Sequence, residues 1–80
     1  MKHKTVNLEL TESNARYTLL ALRELNEKLH ALSHDESIDE DERFFHANDL
    51  MEASRAYEKI EKSAIEIFGD QILVHNHETL

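Results

Sequence analysis

The chain has 80 residues, no cysteine, and 17 acidic against 9 basic side chains, which gives a formal net charge of −8. This length allows a single domain over residues 1–80, and the missing cysteines exclude disulfides and thiolate metal sites. A chain this short buries a small core, so we expect it to be stabilised by a second subunit. No apolar run reaches the length of a signal peptide or a membrane span, and we therefore expect a cytoplasmic protein without a membrane partner.

The predicted elements begin with a strand. Residues 5–10 alternate, with Val6, Leu8 and Leu10 on one side and polar residues on the other, and a period of two is typical of a half-buried strand. Thr11 or Ser13 can then cap a first helix over residues 12–33. Its seven-residue repeat predicts a buried stripe with Leu19 beside it. The stripe consists of Ala15, Thr18, Leu22, Leu25, Leu29 and Leu32.

An acidic run follows the first helix and holds six of the acids: Asp35, Glu36, Asp39, Glu40, Asp41 and Glu42. Ser37 and Glu40 match a capping box, which predicts that the run is the start of a second helix over residues 38–68. The spacing of oxygen donors also resembles a calcium loop, but Glu40 replaces the turn glycine and His46 replaces the final glutamate. We therefore expect a capping turn and not a calcium site.

Apolar residues recur at seven along the second helix at Leu50, Tyr57 and Ala64, and Gly69 predicts its end. Residues 71–76 are predicted to form a second strand. The fold expected is mainly α, an antiparallel two-helix hairpin flanked by short terminal β-strands in the order β-α-α-β. Leu29 should lie opposite Ala47, with helix 2 overhanging at the end that carries the strands.

Side chains outside this hairpin stripe predict assembly. Tyr17 and Leu20 lie away from the stripe on helix 1, and the apolar face of helix 2 shifts towards Phe44, Phe45 and Met51. We expect these five residues to form the interface of a homodimer, a four-helix bundle with paired strands. The acidic tip, residues 35–42, is a second candidate contact with a protein partner.

Other functions stay open as alternatives. Residues 1–25 resemble the start of a ribbon-helix-helix DNA-binding regulator or antitoxin: a basic lead MKHK, a strand and a helix. The resemblance implies that Thr5, Asn7 and Glu9 enter the major groove, although the missing basic surface argues against a nucleic-acid partner. A second alternative is an acidic decoy of the phage or plasmid type, which mimics nucleic-acid phosphates to a basic target.

A third alternative is zinc binding. His30 and His34 are four residues apart on helix 1, and the hairpin would bring His46 towards the same end. The preferred prediction has no metal and no cofactor, with these histidines at the surface. No nucleophile motif or phosphate loop occurs, so we expect no enzyme activity. The preferred function is a non-catalytic, homodimeric protein–protein interaction module.

Overall fold

The computed structural model describes residues 3–73 and contains two long α-helices joined by a short turn. Helix α1 is Glu12–Ser33, helix α2 is Glu40–Phe68, and a 3₁₀ helix follows at Asp70–Leu73. The mainly helical hairpin is confirmed, and the predicted bounds of the first helix are correct. The second helix begins two residues later than predicted.

Local side-chain chemistry explains where α1 begins. Thr11 has extended backbone angles and its hydroxyl accepts a hydrogen bond from the Asn14 backbone N–H at 3.1 Å. The Asn14 side chain returns the contact, accepting from the Thr11 N–H at 3.4 Å. Two first-turn donors are satisfied in this reciprocal way, which is why the helix starts at Glu12.

The capping box predicted at Ser37 and Glu40 is wrong. Asp39 is the residue that precedes α2, and its side chain makes no capping hydrogen bond. Ser37 instead donates both its hydroxyl and its backbone N–H to one oxygen of Asp35, at 2.6 and 2.9 Å. This short-range turn competes with capping, because a serine hydroxyl bonded to Asp35 is not available to the first turn of α2.

The terminal strands are not supported. Residues 5–10 have no regular secondary structure, and residues 71–73 belong to the 3₁₀ helix; the rest of the second predicted strand, 74–76, lies outside the described residues. A strand needs a neighbouring edge to bond to, and none exists within residues 3–73. The alternation of Val6, Leu8 and Leu10 has another role, since all three line a groove against α2.

Gly69 ends α2 with a backbone conformation that other residues rarely adopt. Its φ is +92° and its ψ is 172°, and its N–H donates to the Ile65 carbonyl at 2.9 Å. The positive φ confirms the predicted glycine cap, although the extended ψ differs from the left-handed helical region expected there. The chain can then fold back, which places Ile72 against the helices.

The buried core lies at the open end of the hairpin, away from the turn. Ala15 and Leu19 of α1 form a cluster with Ala64 of α2 and with Ile72, and Tyr57 and Ile60 pack against it. Leu19 and Ile72 are the only large side chains of the described part that are fully buried. The core is therefore small, and the 3₁₀ helix contributes one of its two main side chains.

The buried stripe of α1 differs from the prediction at one of its positions. Leu25 was expected in the seam but is 43% exposed. Asn26, between Leu22 and Leu29, has its side-chain oxygen buried with no hydrogen-bond partner in the described part of the chain. Positions 18, 25 and 32 flank the central row on one side, and positions 19, 26 and 33 flank it on the other. Ile72 covers Leu19, so α1 is rotated towards the second side.

The register between the helices is also shifted from the predicted one. Ala15 clusters with Ala64, and the Arg23 guanidinium lies close enough to Tyr57 to influence its hydroxyl. At equal rise per residue, this pairing places the end of α1 opposite His46. The start of α2, residues 40–45, therefore extends past α1, and the overhang lies at the turn and not at the open end.

Candidate functional site

The overhang of α2 carries two adjacent exposed aromatic side chains. Phe44 is 67% exposed and Phe45 is 64% exposed, with their ring centroids 6.4 Å apart at 71°. The edge-to-face arrangement is favourable, but it leaves most of both rings in water. Met51, two turns from Phe44 on the same side of α2, is 53% exposed. All three residues were predicted at an interface, and all three are accessible to a partner.

Tyr17 and Leu20, the two interface candidates of α1, are less exposed than those of α2. Tyr17 is half exposed and Leu20 is half-buried. Both lie on the outer side of α1, away from the row of Ala15, Leu22 and Leu29. The structure therefore does not bring them together with Phe44 and Phe45, because the overhang projects beyond the end of α1.

An apolar groove lies at the opposite end of α2. It has a volume of about 640 Å³ and is lined mainly by apolar side chains: Val6, Leu8, Leu10, Ile60, Ile67 and Phe68. Lys59 is the only charged side chain of the described residues that lines it. Val6, Leu8 and Ile67 stay 73–77% exposed despite lining the groove. The groove is thus open and unfilled by the described residues.

The acidic tip is exposed and locally ordered. The hydroxyl and backbone N–H of Ser37 stabilise the charged form of Asp35, and with the nearby Arg43 guanidinium they lower the pKa of that carboxyl. The remaining acids of the tip are all exposed: Glu36, Asp39, Glu40, Asp41 and Glu42. Hydrogen bonds of this kind favour the ion over the neutral acid. The tip therefore presents a concentrated negative charge beside the aromatic overhang.

His30, His34 and His46, the three described candidates for a zinc site, are not brought together as a metal centre. His30 and His34 have ring centroids 4.5 Å apart, and one ring nitrogen of His34 lies 3.0 Å from the His30 carbonyl oxygen. Within residues 3–73, no group of three or more histidine, aspartate or glutamate side chains is arranged to hold a metal ion. His46 does not join the pair. The two rings are tilted against each other, and both histidines are exposed at the end of α1.

Sequence reasoning missed the groove and its two most relevant residues. The seven-residue spacing from Ile60 favours a buried position for Ile67, and Lys59 belongs to no motif, although both line the groove. A usable signal was present, because Ile67 and Phe45 are separated by about six helical turns and so lie on one side of α2. A seven-residue repeat alone does not relate two positions that are 22 residues apart.

Comparison with models of protein families, with curated proteins and with solved structures finds no significant match, so the assignment of function depends on this chain alone. Neither helix of the described part contains a stretch long and apolar enough to cross a bilayer.

Proposed function

We propose that the protein is a non-catalytic interaction module that acts as a homodimer, in which two helical hairpins associate as a four-helix bundle. The observation that carries this proposal is the imbalance between buried and exposed apolar side chains within residues 3–73. The core holds two fully buried large residues, Leu19 and Ile72, whereas Phe44, Phe45 and Met51 are more than half exposed. Burying such side chains stabilises a small chain by roughly 1.5–3 kcal/mol each, which a single hairpin does not obtain.

The surface chemistry supports binding and not catalysis. A catalytic pocket combines apolar walls with several convergent polar groups whose pKa values are shifted. Within the part of the chain that the structure describes, the groove has one charged lining residue, Lys59. The two described groups whose pKa is displaced, Asp35 and Tyr57, belong to the turn and to the helix seam and do not line the groove.

The acidic tip supports a second role as a contact for a basic protein partner. The Asp39 side chain makes no capping hydrogen bond, and the acids from Asp39 to Glu42 are all exposed. Carboxylates that are not engaged within the fold are available to lysine or arginine side chains. A variant with Asp39, Glu40 and Glu42 changed to the corresponding amides should lose any basic partner while keeping the dimer.

Light scattering coupled to size-exclusion chromatography tests the homodimer directly. We expect a mass of twice the 9.4 kDa of the chain at tens of micromolar protein. Dilution should convert the dimer to monomer with loss of helical signal, because each hairpin is stabilised by its partner. A mass of one chain throughout this range would remove the proposal.

A further inference from the structure

One side of α2 connects the aromatic overhang with the apolar groove. The 22 positions from Phe45 to Ile67 amount to about six turns at 3.6 residues per turn, so the two side chains lie on the same side of the helix, roughly 33 Å apart. Phe45 stands at one end as an exposed ring. Ile67 stands at the other end as a wall of the groove. A protruding side chain and a recess therefore occupy the two ends of one line.

The midpoint of this line is Ala56, whose small side chain lets another helix approach closely. A two-fold axis beside Ala56 would run the α2 helices of two copies antiparallel. Phe45 of each copy would then meet the groove of the other copy, and both contacts would form at once. This is the self-complementary arrangement that a two-fold dimer requires.

The charges on either side of Ala56 match the same axis. Glu52 lies four residues before Ala56 and Lys59 three residues after it, and both are exposed. The two-fold would place Glu52 of each copy opposite Ile60 of the other, one residue from Lys59 and within reach of its long side chain. Among residues 3–73 Glu52 has only a loose contact, 3.4 Å to the largely exposed Arg55, so its carboxylate remains available.

The charge of the acidic tip also favours the antiparallel orientation. Six acids lie between Asp35 and Glu42, opposed locally by Arg43. A parallel pairing of two hairpins would bring both tips together, and like charges at close range disfavour it. The antiparallel pairing keeps the tips at opposite ends of the dimer.

We infer that the partner of this surface is a second copy of the chain, docked antiparallel along α2 about Ala56, with Phe45 of each copy seated in the groove formed by Val6, Leu8 and Ile67 of the other. The inference rests on the proposed homodimer and adds its interface and orientation. It assigns Phe45 as the anchor and the pair Glu52–Lys59 as the determinant of orientation.

Cysteine crosslinking tests the geometry, because the chain has no cysteine of its own. Ala56→Cys should form a covalent dimer under mild oxidation, since the two-fold brings this position close to its own copy. Glu24→Cys, on the outer side of α1, is the matched control and should stay largely uncrosslinked. A mixture of Phe45→Cys and Ile67→Cys should crosslink more than either variant alone.

Charge reversal provides an independent readout. Glu52→Lys and Lys59→Glu should each raise the dimer dissociation constant about tenfold or more. The double variant that exchanges the two charges should return most of the lost affinity, because both opposite-charge pairs are rebuilt. Circular dichroism of each variant checks that the helices are kept.

The possible results separate the two proposals. A wild-type chain that is monomeric contradicts the homodimer itself. A dimer in which Ala56→Cys crosslinks no faster than Glu24→Cys, or in which the exchanged-charge variant stays weak, contradicts the antiparallel geometry while leaving the homodimer intact. Crosslinking at Ala56 together with recovery by charge exchange supports both.

Discussion

Leu19 of α1 packs in one cluster with Ile72 of the 3₁₀ helix, and both side chains are completely buried. The contact joins the first helix to the segment that follows the second helix, so it closes the open end of the hairpin. The core depends on a residue outside the two helices.

Truncation of this contact should be costly. Leu19→Ala and Ile72→Ala should each lower the free energy of unfolding by about 2–5 kcal/mol, because each removes a fully buried side chain and leaves a cavity. Leu25→Ala is the matched control and should cost less than about 1 kcal/mol, since Leu25 is 43% exposed. Urea unfolding followed by circular dichroism measures all three. Equal losses at Leu19 and Leu25 would show that the seam of α1 has been assigned wrongly.

The two turns that precede the helices should respond differently to loss of a hydroxyl. Thr11→Ala removes the side chain that accepts from Asn14 and should cost about 1 kcal/mol. Ser37→Ala should cost less, because Ser37 bonds to Asp35 within an exposed turn and caps no helix. Thermal unfolding of the two variants compares their stabilities. A larger loss of stability for Ser37→Ala would indicate that Ser37 does cap α2.

Asn26 should weaken the hairpin in the native chain. Its side-chain oxygen is buried without a hydrogen-bond partner among residues 3–73, and an unsatisfied buried acceptor costs roughly 1–3 kcal/mol. Asn26→Leu should therefore stabilise the protein by about 1 kcal/mol, measured by urea unfolding. Asn48→Leu, at an exposed position of α2, controls for a general effect of added hydrophobicity and should leave stability nearly unchanged.

Alkaline solution should destabilise the fold through Tyr57. Burial in the seam is the main cause that raises the pKa of its hydroxyl above the usual 10.0, and the Glu61 carboxylate adds to it. A raised pKa means that the stabilising contribution is complete below pH 10 and is lost as pH rises through the folded value. Melting temperatures measured from neutral to strongly alkaline pH should fall above pH 10. Tyr57→Phe should show a smaller fall over the same range.

The location of the dimer interface can be decided between two regions. The sequence predicted residues of both helices there, Tyr17 and Leu20 of α1 together with Phe45 of α2, whereas the antiparallel arrangement along α2 needs Phe45 and not the α1 pair. Phe45→Glu should raise the dissociation constant at least tenfold, because it puts a charge into the apolar groove of the partner. Leu20→Glu should have little effect on dimerisation if the α2 geometry is correct. Sedimentation equilibrium measures the dissociation constants of the two variants. A larger effect of Leu20→Glu than of Phe45→Glu would favour an interface on α1.

The periodicity of apolar residues was sufficient to predict the two helices. It was not sufficient to predict which segments pack over them. The cap at Thr11 and the glycine at position 69 are local signals, and both appear in the sequence. Which of Leu19 and Leu25 is buried depends on Ile72, because Ile72 covers Leu19. Ile72 reaches α1 only after the chain changes direction at Gly69. The apparent strand at residues 5–10 shows the same limit, because Val6 and Leu8 alternate as a strand would but line a groove against α2.

The overhang of α2 has a consequence for local opening. Residues 40–45 extend past α1, so their backbone hydrogen bonds are supported by the helix itself and by little tertiary packing. Such helix ends open at much lower free energy than the core. Their amide protons should exchange rapidly with deuterium in the separated chain and slowly once Phe45 is held in a partner. Hydrogen exchange at this one segment would therefore report association residue by residue, without a substitution or an attached probe.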